Sequence, residues 1–103
     1  IGSTADNLKD AIAGETHEFK SMYPAMIEDA KAEGDKTAER GFTYANDVEK
    51  VHAGLYTEAA KDPAGYPDQE WYVCSVCGYT VAGSAPDKCP VCQAMAKAFF
   101  KVD

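Results

Sequence analysis

"CSVCGYTVAGSAPDKCPVC", residues 74–92, contains all four cysteines of the 103-residue chain. They form two Cys-x-x-Cys pairs, Cys74 with Cys77 and Cys89 with Cys92, with eleven residues between the pairs. A Cys-x-x-Cys turn puts two thiolates on one knuckle, with backbone N–H groups directed at the sulfurs. Two facing knuckles make a tetrahedral four-sulfur site, which suits Zn²⁺ or a single iron ion. Gly78 follows Cys77, where the turn needs a positive φ, and Pro90 stiffens the second knuckle. A segment shorter than about 40 residues rarely folds without a staple. Metal binding and folding of this segment are therefore expected to be one event. Trp71, Tyr72, Tyr79, Phe99 and Phe100 surround the cysteines in sequence. They would form either the small core of a zinc ribbon or the dry shell of a redox iron.

Upstream the pattern changes to helical. Residues 1–34 place Leu8, Ile12, Glu15, Phe19, Met22 and Met26 at alternating steps of four and three, one face of a helix. Ser3 or Thr4 suits the N-cap, Asp6 the first turn, and Gly34 the stop. Pro24 is expected to kink this helix near Lys20. Residues 35–61 repeat the pattern through Ala38, Phe42, Ala45, Glu49, His52 and Tyr56, with Asp35 or Thr37 as cap. The short turn between them predicts an antiparallel hairpin. Two prolines and a glycine in "KDPAGYPDQ", residues 61–69, end the second helix. The expected organisation is a helical hairpin over 1–62, a linker over 63–70 and a metal-knuckle unit over 71–103, with strands at Trp71–Val73 and Phe99–Val102. The fold class is mostly α with a small β-rich metal domain.

Three polar residues interrupt the apolar faces: Glu15 on the first helix, Glu49 and His52 on the second. Burying an isolated carboxylate costs several kcal/mol, so polar interruptions on facing helices suggest a shared ligand. Counted from the turn at about 1.5 Å per residue, their levels nearly coincide. Glu-x-x-His is the pattern of di-iron carboxylate bundles, in which two helices each give one Glu and two others each give Glu-x-x-His. This hairpin supplies half of that set. Glu18, one turn beyond Glu15, is a candidate additional terminal ligand. His17 falls on the opposite side and reads as solvated.

The stretches "AIAGETHEFKSMYPAM", "NDVEKVHAGLY" and "YVCSVCGYTVAGSAPDKCPVC" together resemble rubrerythrin, in that family's order. The resemblance implies a ferritin-like hairpin, half of a four-helix bundle, followed by a rubredoxin-like domain. It implies Glu15, Glu18, Glu49 and His52 as di-iron ligands, and Tyr23 as a tyrosine that hydrogen-bonds a ligand carboxylate. It implies Cys74, Cys77, Cys89 and Cys92 as ligands of one iron, with zinc a possible substitute. The implied activity is a non-haem di-iron peroxidase that reduces hydrogen peroxide to water. Its electrons come ultimately from NAD(P)H through a rubredoxin or an NAD(P)H-dependent reductase. The family has four helices before the rubredoxin-like domain and this chain has two. The di-iron site therefore needs a second copy of the chain in a homodimer, or a separate first-hairpin polypeptide. The alternative is a rubredoxin-like electron carrier with a helical dimerisation module.

Seventeen Asp and Glu against ten Lys and Arg give a net charge of −7, which argues against a nucleic-acid partner. No apolar run is long enough for a membrane span and no signal peptide is visible. Knuckle-type cysteines fit a reducing, cytoplasmic setting.

Overall fold

The computed structural model describes residues 1–103 and divides into two compact units, Ile1–Tyr66 and Pro67–Asp103. The first unit is the hairpin. Helix α1 spans Thr4–His17 and opens on a capping box: the Ser3 hydroxyl accepts from the Asp6 N–H, and the Asp6 carboxylate accepts in return from the Ser3 N–H. Helix α2 spans Tyr23–Glu33 and α3 spans Lys36–Lys61. Gly34, at φ 70°, ends α2. Its N–H donates to the Lys31 carbonyl while the Asp35 N–H reaches back to Ala30, the pairing of a Schellman motif. Asp35 then caps α3 by accepting the Ala38 N–H at 3.0 Å.

The expected kink near Lys20 is instead a π-helical turn over Glu18–Met22. Pro24 has no N–H to give the Lys20 carbonyl, and its ring would crowd that oxygen. Widening the preceding turn relieves both problems, and the Tyr23 N–H now donates to the Glu18 carbonyl. The extra residue in the turn also changes the phase of the helix. Tyr23 consequently meets α3, its ring 6.4 Å from that of Phe42. Both α1 and α2 pack along α3. The few fully buried side chains of the hairpin are small: Ala30, Val48 and Ala53, with Val48 only 2 % exposed. The rest of the apolar stripe, including Leu8, Ile12, Phe19, Met22 and Met26, is half-buried.

The second unit is a three-stranded antiparallel sheet in the order β2–β1–β3. Strand β1 is Trp71–Cys74 and β3 is Phe99–Val102. Strand β2, Thr80–Ala82, was not expected from the sequence, being only three residues long and close behind a knuckle. Trp71 sits opposite Ala82 on one side and Val102 on the other. The expected aromatic shell is only partly realised. Tyr79 and Phe99 meet edge to face at 6.3 Å. Phe100, next in the strand, points the other way and is 52 % exposed, because successive strand residues alternate faces.

Candidate metal centres

The hairpin brings Glu15, Glu49 and His52 together. One potential ligand atom from each lies within 4.8 Å of the others. The His52 Nδ1 is 3.2 Å from a Glu49 oxygen and 3.5 Å from a Glu15 oxygen. Both carboxylates are only 16 % exposed and the imidazole 24 %. The other Glu15 oxygen, Oε2, is buried with no hydrogen-bond partner. Two carboxylates converging on one imidazole nitrogen thus leave acceptor capacity unfilled. A divalent cation would fit it, since metal–donor bonds of about 2.0–2.2 Å would close such a spacing with small side-chain rotations. The donor set, two carboxylates and one imidazole, suits iron among the common metals. Glu18 is half-buried but lies outside the three-residue group. Tyr23 is placed by its contact with Phe42. His17 is exposed.

The four cysteines converge in the second unit, and none is in a disulfide. Cys74 Sγ lies 3.7 Å from Cys92 Sγ, and Cys77 Sγ lies 3.7 Å from Cys89 Sγ. A tetrahedron with metal–sulfur bonds near 2.3 Å has edges of about 3.8 Å, so the four thiols already have the spacing of a metal site. The two knuckles repeat one hydrogen-bond scheme. In the first, the Gly78 N–H donates to the Cys74 carbonyl and the Cys74 N–H to Tyr79. In the second, the Gln93 N–H donates to the Cys89 carbonyl and the Cys89 N–H to Ala94. The residue after the second cysteine has positive φ in both, 89° at Gly78 and 69° at Gln93. The Tyr79 N–H points at the Cys77 sulfur at 3.4 Å.

Burial pushes the Cys77 and Cys92 thiols upward. Burial acts on Cys74 too, but the backbone N–H groups of Cys77 and Val76, together with the neighbouring Cys92 and Cys77 thiols, outweigh it and bring that thiol below its ordinary value. A bound cation would favour the thiolate form of all four. Cys74 and Cys89 are fully buried, while Cys77 and Cys92 are half-buried.

Two residues of interest were missed in the sequence. Gln93 stands where the first knuckle has a glycine, a signal available from aligning the two Cys-x-x-Cys turns. Asn46 lies one turn before Glu49, and its Oδ1 is buried without a partner. It was legible as a further polar interruption of the α3 stripe.

Comparison with known proteins adds to this geometry. The family model described as Rubrerythrin matches residues 1–60, and that described as Rubrerythrin, rubredoxin-like domain, matches residues 72–100. Rubrerythrin-2 of Clostridium acetobutylicum is 44% identical over 97 residues, covering 89% of this chain and 53% of that protein. Nigerythrin of Nitratidesulfovibrio vulgaris is 40% identical over 86 residues, covering 84% of this chain and 43% of that one. A solved structure described as the partially reduced state of nigerythrin superposes with a TM-score of 0.91 at 35% identity, covering 99% of this chain and 51% of that chain. The chain thus spans about half the length of the curated relatives it matches.

Proposed function

Because the chain belongs to the rubrerythrin family and carries the ligand groups of a rubrerythrin-type iron protein, we propose that it is the catalytic and electron-donating half of a di-iron peroxidase. The observation that carries this reading is the convergence of Glu15, Glu49 and His52, with an unpartnered buried carboxylate oxygen, in a chain that also holds a four-cysteine site. Glu15 and Glu49 would hold metal through their carboxylate oxygens. His52 would give its Nδ1 to the same site, and Glu18 would be a further ligand. Tyr23 hydrogen-bonds a ligand carboxylate and so fixes its orientation. The half-buried apolar stripe on either side excludes water once a second hairpin covers it. When bound, iron supplies the redox chemistry that side chains alone lack.

Reduction of hydrogen peroxide to two waters consumes two electrons and two protons. Cys74, Cys77, Cys89 and Cys92 would hold one iron, which would supply one-electron chemistry, and their prearranged sulfurs would keep its reorganisation small. The upstream donor is a rubredoxin or an NAD(P)H-dependent reductase. A second copy of this chain about a two-fold axis completes the ligand set, and a separate first-hairpin polypeptide is the other way to complete it.

Metal content per chain, on protein purified without added metal, tests the reading. For a symmetric dimer about two irons per chain are expected, one in each four-cysteine site and two shared in the bundle. About three would point to a separate hairpin polypeptide. Glu49→Ala should abolish peroxide consumption by the reduced protein and leave the four-cysteine iron intact. A single iron per chain, with no peroxide turnover, would reduce the protein to an electron carrier. A single zinc would leave the four-cysteine site purely structural.

A further inference from the structure

Asn46 is out of place in the hairpin. It lies on the α3 stripe that runs Phe42, Asn46, Glu49, Ala53 in steps of four and three. Its Oδ1 is buried and meets no hydrogen-bond donor. A buried acceptor without a donor is destabilising, and an apolar residue would fill the position without that penalty.

The register of the hairpin says what Asn46 faces. His52 and Glu15 meet at one crossing, 3.5 Å apart. Phe42 and Tyr23 meet at another, with ring centroids 6.4 Å apart. Between these crossings lie Asn46 on α3 and Glu18 on the other arm, each one helical turn from a residue of the metal group. Glu18 opens the π turn, which packs against α3, and it is half-buried. Interpolated between the two crossings, Glu18 and Asn46 come within about two residues of one level, about 3 Å along the helix axis, a gap that their side chains can span.

We propose that Asn46 is a positioning residue for Glu18: its side-chain amide is the hydrogen-bond partner of the Glu18 carboxyl group when that group turns toward bound metal. The assignment rests on the reading of Glu18 as a ligand. An amide carries its carbonyl and its N–H donors on one planar group, and a half-rotation exchanges them. Glu18 stands outside the Glu15, Glu49 and His52 group, and Oδ1 holds a donorless place. When Glu18 turns in, the exchanged amide presents N–H to the carboxylate. That bond is charge-assisted, and the carbonyl leaves its unsatisfied position.

The test is a Co²⁺ titration of the full chain after Zn²⁺ has filled the four-cysteine site. Visible absorption without thiolate charge transfer reports the hairpin site. Wild type, Asn46→Leu, Glu18→Gln and the double variant are compared. Asn46→Leu is expected to lose about tenfold or more in Co²⁺ affinity, as removal of a ligand-orienting group does. Glu18→Gln should lose at least as much, and the double variant no more than Glu18→Gln alone. Asn46→Ala repeats the comparison with a smaller side chain, so that a packing fault in the leucine variant does not decide the result. Losses that multiply in the double variant overturn the assignment. So does unchanged affinity in both Asn46 variants with a raised melting temperature. If Glu18→Gln binds Co²⁺ as tightly as wild type, the ligand reading of Glu18 falls and takes this inference with it. If the wild-type hairpin takes up no Co²⁺, the metal reading of the hairpin itself is wrong.

Discussion

Replacing Glu15 by leucine should make the metal-free hairpin more stable and leave it unable to hold metal. In the native chain Glu15 Oε2 is buried without a donor, and such an acceptor costs about 1–3 kcal/mol. The side chain is still 16 % exposed, so solvent recovers part of that cost and about 1–2 kcal/mol is the fair figure. Removing the carboxylate does not strand the imidazole, because His52 Nδ1 keeps Glu49 at 3.2 Å. For a unit the size of Ile1–Tyr66, each kcal/mol moves the melting temperature by about 4–8 °C, so a rise of about 4–16 °C is expected. Far-ultraviolet circular dichroism in the presence of a chelator, at fixed chain concentration, measures it. Added Fe²⁺ should raise the melting temperature of wild type and leave the leucine variant unmoved. A leucine variant that melts lower than wild type in chelator would refute the reasoning. Glu15 would then be a satisfied structural residue, and the carboxylate–imidazole group no evidence for a cation.

Gln93→Gly should stabilise the metal-loaded second unit by about 1 kcal/mol, since a side chain at φ 69° carries a steric cost that glycine lacks; resistance of the bound metal to a competing chelator reads this out. Asp35→Ala should destabilise the hairpin by about 1 kcal/mol through loss of the cap on the Ala38 N–H, seen as a lower melting temperature with no change in metal content. The metal-free and metal-loaded second unit should respond to alkali with opposite signs. Burial raises Cys77 and Cys92, so the folded metal-free unit loses stability as pH rises above the ordinary thiol value of 9.0 and these groups are forced to ionise, with Cys74 opposing them. Metal loading requires thiolates, so the loaded unit instead loses its metal as pH falls. Unfolding midpoints measured with and without Zn²⁺ from about pH 6 to about pH 10 check both slopes; parallel slopes would contradict the account.

Much of the hairpin was legible because its signals are local. Ser3, Gly34 and Asp35 act at the ends of helices through their own backbone and side-chain geometry, and two Cys-x-x-Cys pairs in one short segment point to facing knuckles. The convergence of Glu15 with Glu49 and His52 needed only the helix rise and a short turn. The π turn was not legible in the same way. Pro24 announces a disturbed helix, but whether the chain bends or widens depends on how Tyr23 and Phe42 can pack. Strand β2 was missed because three residues carry too little alternation to be read. Phe100 was misjudged because a pair of neighbouring aromatics in a strand cannot both face the core. Asn46 and Gln93 escaped for a common reason: each is ordinary in composition and unusual only in the backbone site or packing level it occupies.

In the second unit, Trp71 at the start of β1 is paired with Val102 near the end of β3. Lys101 Nζ also grips the Glu70 carboxylate at 3.0 Å, and the Tyr72 hydroxyl donates to the same group. The polypeptide therefore enters and leaves this metal fold at one place, like a loop drawn shut at its neck. A segment built this way makes little demand on whatever it is joined to. It can be appended to a terminus, or threaded into a surface turn of an unrelated scaffold, without stretching the host. That portability makes residues 70–103 a candidate for transplantation as a self-contained metal-binding module.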